Sequence, residues 1–302
     1  MRLGTSLDTD QPIDEVIAAA RAAKDAGFTT VWSSQIFGVD ALTVLAVVAR
    51  EVEGIEVGTA VIPIHPRHPQ VLAQQALTVQ AISKGRLILG VGLSHKVVVE
   101  GLWGYSYDAP ATYMREYLDA LVPMLRGETV SVKGEHVSAT TIGPVGPAVS
   151  AAPRLLVAAL GPKMLALAGA VTDGTATWMT GVATLRDYVV PTIRKAAADA
   201  GRPDPTIVAT LPVCCTDDVK GASERIDKAL AIYPTLPSYK AMLDREGAAA
   251  PSDVALVGTK DRIIEGLGEL ADAGVTQAVA AIMGSAAEQE ATLAAIREYP
   301  TS

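Results

Sequence analysis

Along the chain, short apolar runs alternate with longer stretches whose apolar positions recur at helical spacing. A run at about 2–7 precedes a helical period at about 13–26, which Gly27 ends. Thr29–Ser34 leads to a helix over about 41–52. Ile55–Ile62 leads to a Pro/His-rich loop and a helix over about 69–82. Arg86–Val91 lies between Gly85 and Gly92. Runs that are apolar on both faces suit a parallel sheet covered by helices.

The middle breaks this rhythm. Residues 94–111 form a long loop with Trp103, Tyr105 and Tyr107, ahead of a helix near 112–126. Thr129–Ile142 alternates polar and apolar around Gly134 and predicts an exposed hairpin, followed by a Pro/Gly/Ala linker over 143–153. The alternation then resumes with a strand at 155–159, a helix near 163–170, a strand near 174–179 and a helix near 183–200. Ile207–Cys214 precedes a loosely patterned helical stretch, 217–250, read as an insertion. A helix near 260–273, the strand Val275–Met283 and a helix over about 286–298 complete the pattern. Eight strands with intervening helices are what a closed (β/α)8 barrel, the TIM barrel, requires; the rival open doubly wound sheet usually has fewer. The expectation is one domain over 1–302, with insertions at about 94–111, 129–153 and 217–258.

Composition narrows the function more than the fold. Hydrophobic residues are 49% of the 302 and charged residues 19%, enough apolar material for a large core. Aromatics are only 4%, so the core volume must come from Ala, Val, Leu and Ile. The net charge is −8 and no Lys/Arg run occurs, which argues against a nucleic-acid partner. No apolar segment reaches the ~18–20 residues of a membrane span. The start, Met1–Leu7, reads as a strand and not a signal peptide. Cys214 and Cys215 are adjacent and cannot frame a fold; two reduced, buried thiols at a strand end are expected rather than a vicinal disulfide. A cytoplasmic protein with a small-molecule substrate is the prediction.

In such a protein the strand ends and the loops after them carry the chemistry. Gly90-Val91-Gly92-Leu93-Ser94 opens backbone amides, and its glycines remove the Cβ atoms that would bar a ligand. Ala159-Leu160-Gly161-Pro162 places Pro at a helix start, where free first-turn amides suit an anion. Thr180-Gly181 repeats the theme on the next strand. Three such turns on neighbouring strands suggest a phosphate site. His65, His68 and His95 fall in these loops, but His65-Pro66-Arg67-His68-Pro69 lacks a carboxylate or thiolate partner, so no metal is expected. No nucleophile elbow, Walker loop or H-E-x-x-H helix is present, and the strand ends lack the paired carboxylates of glycoside chemistry. Anion-binding loops without hydrolytic groups point to cofactor chemistry.

Four segments resemble the luciferase-like superfamily of flavin and deazaflavin oxidoreductases, over nearly the whole chain. They are Gly27–Ser33, Gly58–Pro63 with Arg67–Ala76, Ile82–Gly92, and Pro153–Pro162 with Thr172-Asp173-Gly174. Gln35–Gly38 and Glu100–Tyr105 look like the actinobacterial branch that uses coenzyme F-420. The resemblance implies a non-prolyl cis peptide on the third strand, at Ala60–Val61 or Thr59–Ala60, against which the cofactor ring leans. It places Thr59, Ala60, Val61, Gly92, Leu93 and Ser94 at the cofactor, and Ala159, Leu160, Gly161, Pro162, Thr180 and Gly181 at its phosphate and side chain. Homodimers are common in the family, so a homodimer is expected.

Departures matter as well. Many relatives end the second strand with Asp-His or His-His, where this chain has Gln35-Ile36. Deazaflavin sugar-phosphate dehydrogenases carry a Glu where this chain has His95, and their Lys/Arg set is missing, so sugar phosphate is not expected. The expected activity is hydride transfer between coenzyme F-420 and a small organic substrate. His95 would be acid or base, Gln35 would bond the ring or substrate, and Phe37, Trp103 and Met283 would wall the substrate. The alternatives are an FMN monooxygenase served by a separate reductase, and a cofactor-free barrel with a binding role.

Overall fold

A computed structural model describes residues 1–300. Eight parallel strands close on themselves: β1 Arg2–Ser6, β2 Thr30–Ser33, β3 Glu56–Thr59, β4 Leu87–Gly92, β5 Arg154–Val157, β6 Gly174–Trp178, β7 Thr206–Cys215 and β8 Gln277–Ile282. Closure runs through β8 beside β1, with Gly4 opposite Val279, and through β6 beside β7. The helices around them are α1 Ile13–Asp25, α2 Ala41–Glu51, α3 Pro69–Ile82, α4 Pro110–Leu125, α5 Pro162–Val171, α7 Lys260–Asp272 and α8 Ala286–Arg297. Between α5 and α7, Val182–Thr184, a π turn at Leu185–Val189 and Val190–Asp199 run on as one helix, α6. The π turn ends just before Pro191, which has no N–H to keep the regular ladder.

Side chains fill the barrel in layers because strand residues alternate inward and outward. At the amino end, Glu56 is gripped by Arg2 and Arg154, and Gln277 donates to Thr30. The middle layer is Trp32, Ile88, Leu156, Ala176, Val208 and Val279. Trp32 fits because its neighbours have no side chains: a Cβ on Gly58 would lie 2.5 Å from its ring, and one on Gly4 2.9 Å from its Nε1. Outside the sheet, an aliphatic shell packs against the helices, as the scarcity of aromatics requires.

The third strand departs from the predicted run Ile55–Ile62. Pairing stops at Thr59, a cis peptide joins Ala60 to Val61, and pairing resumes at Ile62–Pro63 against Val91 and Gly92. Thr59 Oγ1 takes over the ladder here, donating to the Gly90 carbonyl at 2.8 Å and accepting from the Gly90 amide at 2.9 Å. The loop 94–111 contains a short helix, Lys96–Gly101, that the sequence pattern does not show. The hairpin forms from Ser131–Lys133 and Ser138–Thr140; Glu116 accepts from the amides of Glu135, His136 and Val137 in its turn. The stretch after β7 folds into helices Val219–Ala229 and Pro237–Glu246, then a short strand, Leu256–Gly258, beside β7. Cys214 and Cys215 are successive strand residues that face opposite sides, and both are free thiols; Cys214 is buried, but Cys215, the last residue of β7, is only half-buried, against the expectation of two buried thiols. Among the described residues, no helix is long and apolar enough to cross a membrane.

Gly90 tests the importance of the interrupted strand. A Cβ there would lie 2.1 Å from the Thr59 carbonyl oxygen, whereas one on Gly161 meets nothing within 4 Å. Gly90→Ala is expected to cost about 2–3 kcal/mol in denaturant unfolding, and Gly161→Ala no more than about 0.5 kcal/mol. Equal effects would show that the bulge yields freely.

Candidate functional site

The carboxyl ends of the strands form a shallow basin because the uppermost inward positions are mostly small. Two residues beyond the middle layer, the alternation turns Ser34, Gly90, Ala158, Trp178, Thr210 and Ala281 inward. Ala60 and Val61 sit on that layer as a floor. Their backbone is held from β2: the Ala60 amide donates to Ser33 O at 2.9 Å, and Ser34 Oγ donates to Ala60 O at 2.9 Å. The space beside Gly90 and Gly92 is taken by the protein itself. A Cβ on Gly92 would lie 2.6 Å from a Val61 methyl, so these glycines admit the bulge rather than a ligand, which corrects the reading from sequence.

Helix starts around the rim differ in what they leave open. Asp40 caps α2 through Thr43 N at 2.9 Å, and His68 caps α3 through Gln70 N at 3.2 Å while its Nε2 meets Ser138 O at 3.0 Å. Thr259 caps α7, and Ser285 with Glu288 forms a capping box on α8. The start of α6 is also filled: the Glu246 carboxylate accepts from Ala183 N at 3.0 Å and Thr184 N at 2.6 Å. Among the described residues, α1, α4 and α5 start without a side-chain cap; α1 carries Asp14 and Glu15 in its first turn and α4 follows the long loop 94–111, whereas α5 follows β5 after four residues. Gly161 precedes it on open space, Pro162 occupies its first turn, and no acidic residue lies in that turn. Its free amides and dipole are of the kind that suits an anion.

Three loops meet over the β4 end. Ser94 adopts a left-handed φ of 62°, and its carbonyl accepts from the Tyr107 hydroxyl at 3.3 Å. His65 is buried, stacked on Tyr113 at 4.4 Å and Tyr107 at 5.7 Å. His95 is half-buried at the start of the helix Lys96–Gly101, makes no capping bond, and lies 5.7 Å from the Tyr239 ring. Burial pushes both imidazoles below the ordinary histidine value, although the Leu93 carbonyl pulls His65 the other way. Both are therefore neutral at pH 7.

A family model described as luciferase-like monooxygenase matches residues 1–277. The chain belongs to the luciferase-like monooxygenase family. A Mycobacterium tuberculosis relative, provisionally named a coenzyme F-420-dependent oxidoreductase, is 32% identical over 77% of this chain and 72% of its own. The 5,10-methylenetetrahydromethanopterin reductase of Methanolobus tindarius is 28% identical, covering 93% of this chain and 94% of its own. Among solved structures, the coenzyme F-420-dependent tetrahydromethanopterin reductase of Methanopyrus kandleri superposes with a TM-score of 0.83. It is 22% identical and covers 99% of this chain and 97% of that one, a likeness of fold.

Within this luciferase-like barrel the residues singled out from sequence separate into two groups. Ala60, Val61, Leu93, Ser94, His95, Leu160, Gly161, Pro162 and Met283 lie at least partly exposed on the rim or floor, with Trp103 half-buried nearby in sequence. Gly92 and Ala159 are buried beneath them. Thr59 is buried with its hydroxyl spent on Gly90. Thr180 is buried, and Glu246 fills the space a Cβ on Gly181 would need, so that turn offers no open anion site. Gln35 is also spent: its Oε1 accepts from Ala41 N at 2.9 Å and its Nε2 donates to Val39 O at 3.3 Å. Phe37 is 66% exposed and walls nothing. Nearby, Arg67 bonds Asp40 at 2.6 Å. Burial raises the Asp40 carboxyl, but bonds from Thr43 and Arg67 outweigh it and hold it below the usual range.

The residues missed were Ser34, Ala158, Trp178 and Ala281, which strict period-2 counting along the strands would have turned inward. Glu246 and Tyr239 gave no such signal. Among the described residues, no cluster of three metal-ligating side chains forms.

The two depressed histidines set a pH response. Their folded values lie below the unfolded value of about 6.5, so the unfolded chain binds protons first as pH falls. Their contribution is complete above about 6.5 and is lost below it. The melting temperature should decline from pH 7.5 to 5.5, and the decline should shrink in His65→Phe combined with His95→Phe. A flat wild-type profile would contradict the burial of these rings.

Proposed function

We propose that the chain is an oxidoreductase that moves a hydride between bound coenzyme F-420 and a small organic substrate. One observation carries this reading: a floor of small residues and an uncapped helix start share one rim of the barrel. The floor of Ala60 and Val61 suits a flat ring, and the start of α5 suits a phosphate. The named mycobacterial relative supports a deazaflavin. The family's name favours a second reading, an FMN monooxygenase with a separate reductase, because the same floor and helix start suit FMN.

When bound, the deazaflavin supplies the hydride chemistry. The chain's own residues orient, shield and move a proton. The bulge fixes one face of the basin. The Gly161 turn presents the Lys163 and Met164 amides to an anion. His95, kept neutral by burial, holds or accepts a proton at an imidazole nitrogen. Trp103 and Met283 border the substrate side.

Parallel fluorescence titrations with coenzyme F-420 and FMN test the choice of cofactor. Micromolar binding of the deazaflavin and weaker binding of FMN are expected; the reverse preference would move the reading to the monooxygenase. Gly161→Asp should leave the melting temperature unchanged or slightly raised, because Asp caps helices well. The same variant should weaken cofactor binding at least about tenfold by placing a carboxylate where the phosphate belongs. His95→Ala should lower kcat by about 10²–10⁴ without loss of cofactor binding.

A further inference from the structure

The insertion after β7 reaches back across the mouth. Its helix Pro237–Glu246 is fixed at one end by Glu246 on the Ala183 and Thr184 amides, and by the Arg245 guanidinium 3.9 Å from the centre of the Tyr188 ring. Toward its other end, Tyr239 meets His95 at 5.7 Å with the rings tilted by 56°. Tyr233 meets Tyr239 edge-on at 4.9 Å and Trp178 at 6.0 Å. Met179, Leu243 and Val254 pack as an apolar cluster against this group. His95, Tyr239, Tyr233 and Trp178 therefore form a continuous row of rings from the end of β4 to the end of β6, passing the end of β5.

All four residues are half-buried. No charge belongs to the row. Lys240 and Asp244 on the same helix are exposed and bond each other at 2.6 Å, and Glu246 is spent on amides. His95 is held neutral by burial. A flat apolar ring entering beside this row exchanges water for aromatic faces already held in place. Arg245 of the same helix lies over Tyr188, so a carboxylate entering against the ring faces would lose its water with no cation of the row to replace it.

We infer that this aromatic row is the substrate-recognition wall, and that it selects flat, uncharged, ring-bearing compounds over charged or aliphatic ones. The inference rests on the oxidoreductase reading above, since it names the substrate class of that site. Tyr239 and Tyr233 set specificity; Trp178 is the end of the wall that belongs to the barrel itself.

Calorimetric titrations of the full chain, alone and then saturated with cofactor, test it with three ketones. These are 2-acetylnaphthalene, its charged analogue 6-acetyl-2-naphthoate, and the aliphatic cyclohexyl methyl ketone. The first should bind at least about tenfold more tightly than either of the others. Tyr239→Phe should stay within about twofold, because the ring and not the hydroxyl is required. Tyr239→Leu keeps apolar volume in case smaller residues disturb folding, and should lose about tenfold for 2-acetylnaphthalene and nothing for the aliphatic ketone. Equal affinities for the three ketones, an unchanged Tyr239→Leu, or no binding of 2-acetylnaphthalene in either state would overturn the wall. Cofactor binding without the ketone pattern sinks the wall and leaves the oxidoreductase reading standing. The pattern without binding of either cofactor does the opposite.

Discussion

The Thr59 hydroxyl donates to the carbonyl of Gly90 and accepts from its amide, tying β3 to β4 where the sheet would otherwise come apart. The basin depends on this pair of bonds. With the strands joined there, the chain can leave the ladder for two residues and lay Ala60 and Val61 across the top of the packed interior. Gly90 and Gly92 must lack side chains for the bulge to fit, and Ser33 and Ser34 hold its other edge. Buried backbone groups need partners wherever regular pairing stops, and here side-chain hydroxyls supply them.

Above that floor, the character of the rim is decided by which helix starts are filled. Side chains from their own turns satisfy α2, α3, α7 and α8. A carboxylate 63 residues from Ala183 satisfies α6, while α5 keeps free amides beside Gly161. Two turns that read alike in sequence thus have opposite roles, one structural and one open to an anion. The same segment that supplies Glu246 carries Tyr239 to His95, so its docking both fills the start of α6 and sets a ring beside His95.

Much of this was legible in advance for a stated physical reason. Strands buried on both faces read as apolar runs, helices as amphipathic periods, and their alternation eight times over requires a closed barrel. The position of the bulge followed from the resemblance carried by Gly58–Pro63, and the cis bond lies at Ala60–Val61, one of the two places expected. The assignments of Thr59, Gln35, Phe37, Thr180 and Gly181 to direct ligand contact did not fit the geometry. Each of those side chains or turns is spent on a backbone group, filled by Glu246, or turned out to solvent.

By itself, the sequence determined the barrel, the order of its elements and the loops that could hold chemistry, because those follow from local periodicity and from the residue types at strand ends. Tertiary structure alone decided which polar groups were free. A hydroxyl, an amide or a helix start can make the same bond to a ligand or to the chain, and the choice rests on what the fold brings within about 3 Å of it. Glu246 at α6 and Tyr239 at His95 are contacts between segments far apart in sequence, set by how the insertion packs, and no local pattern encodes them.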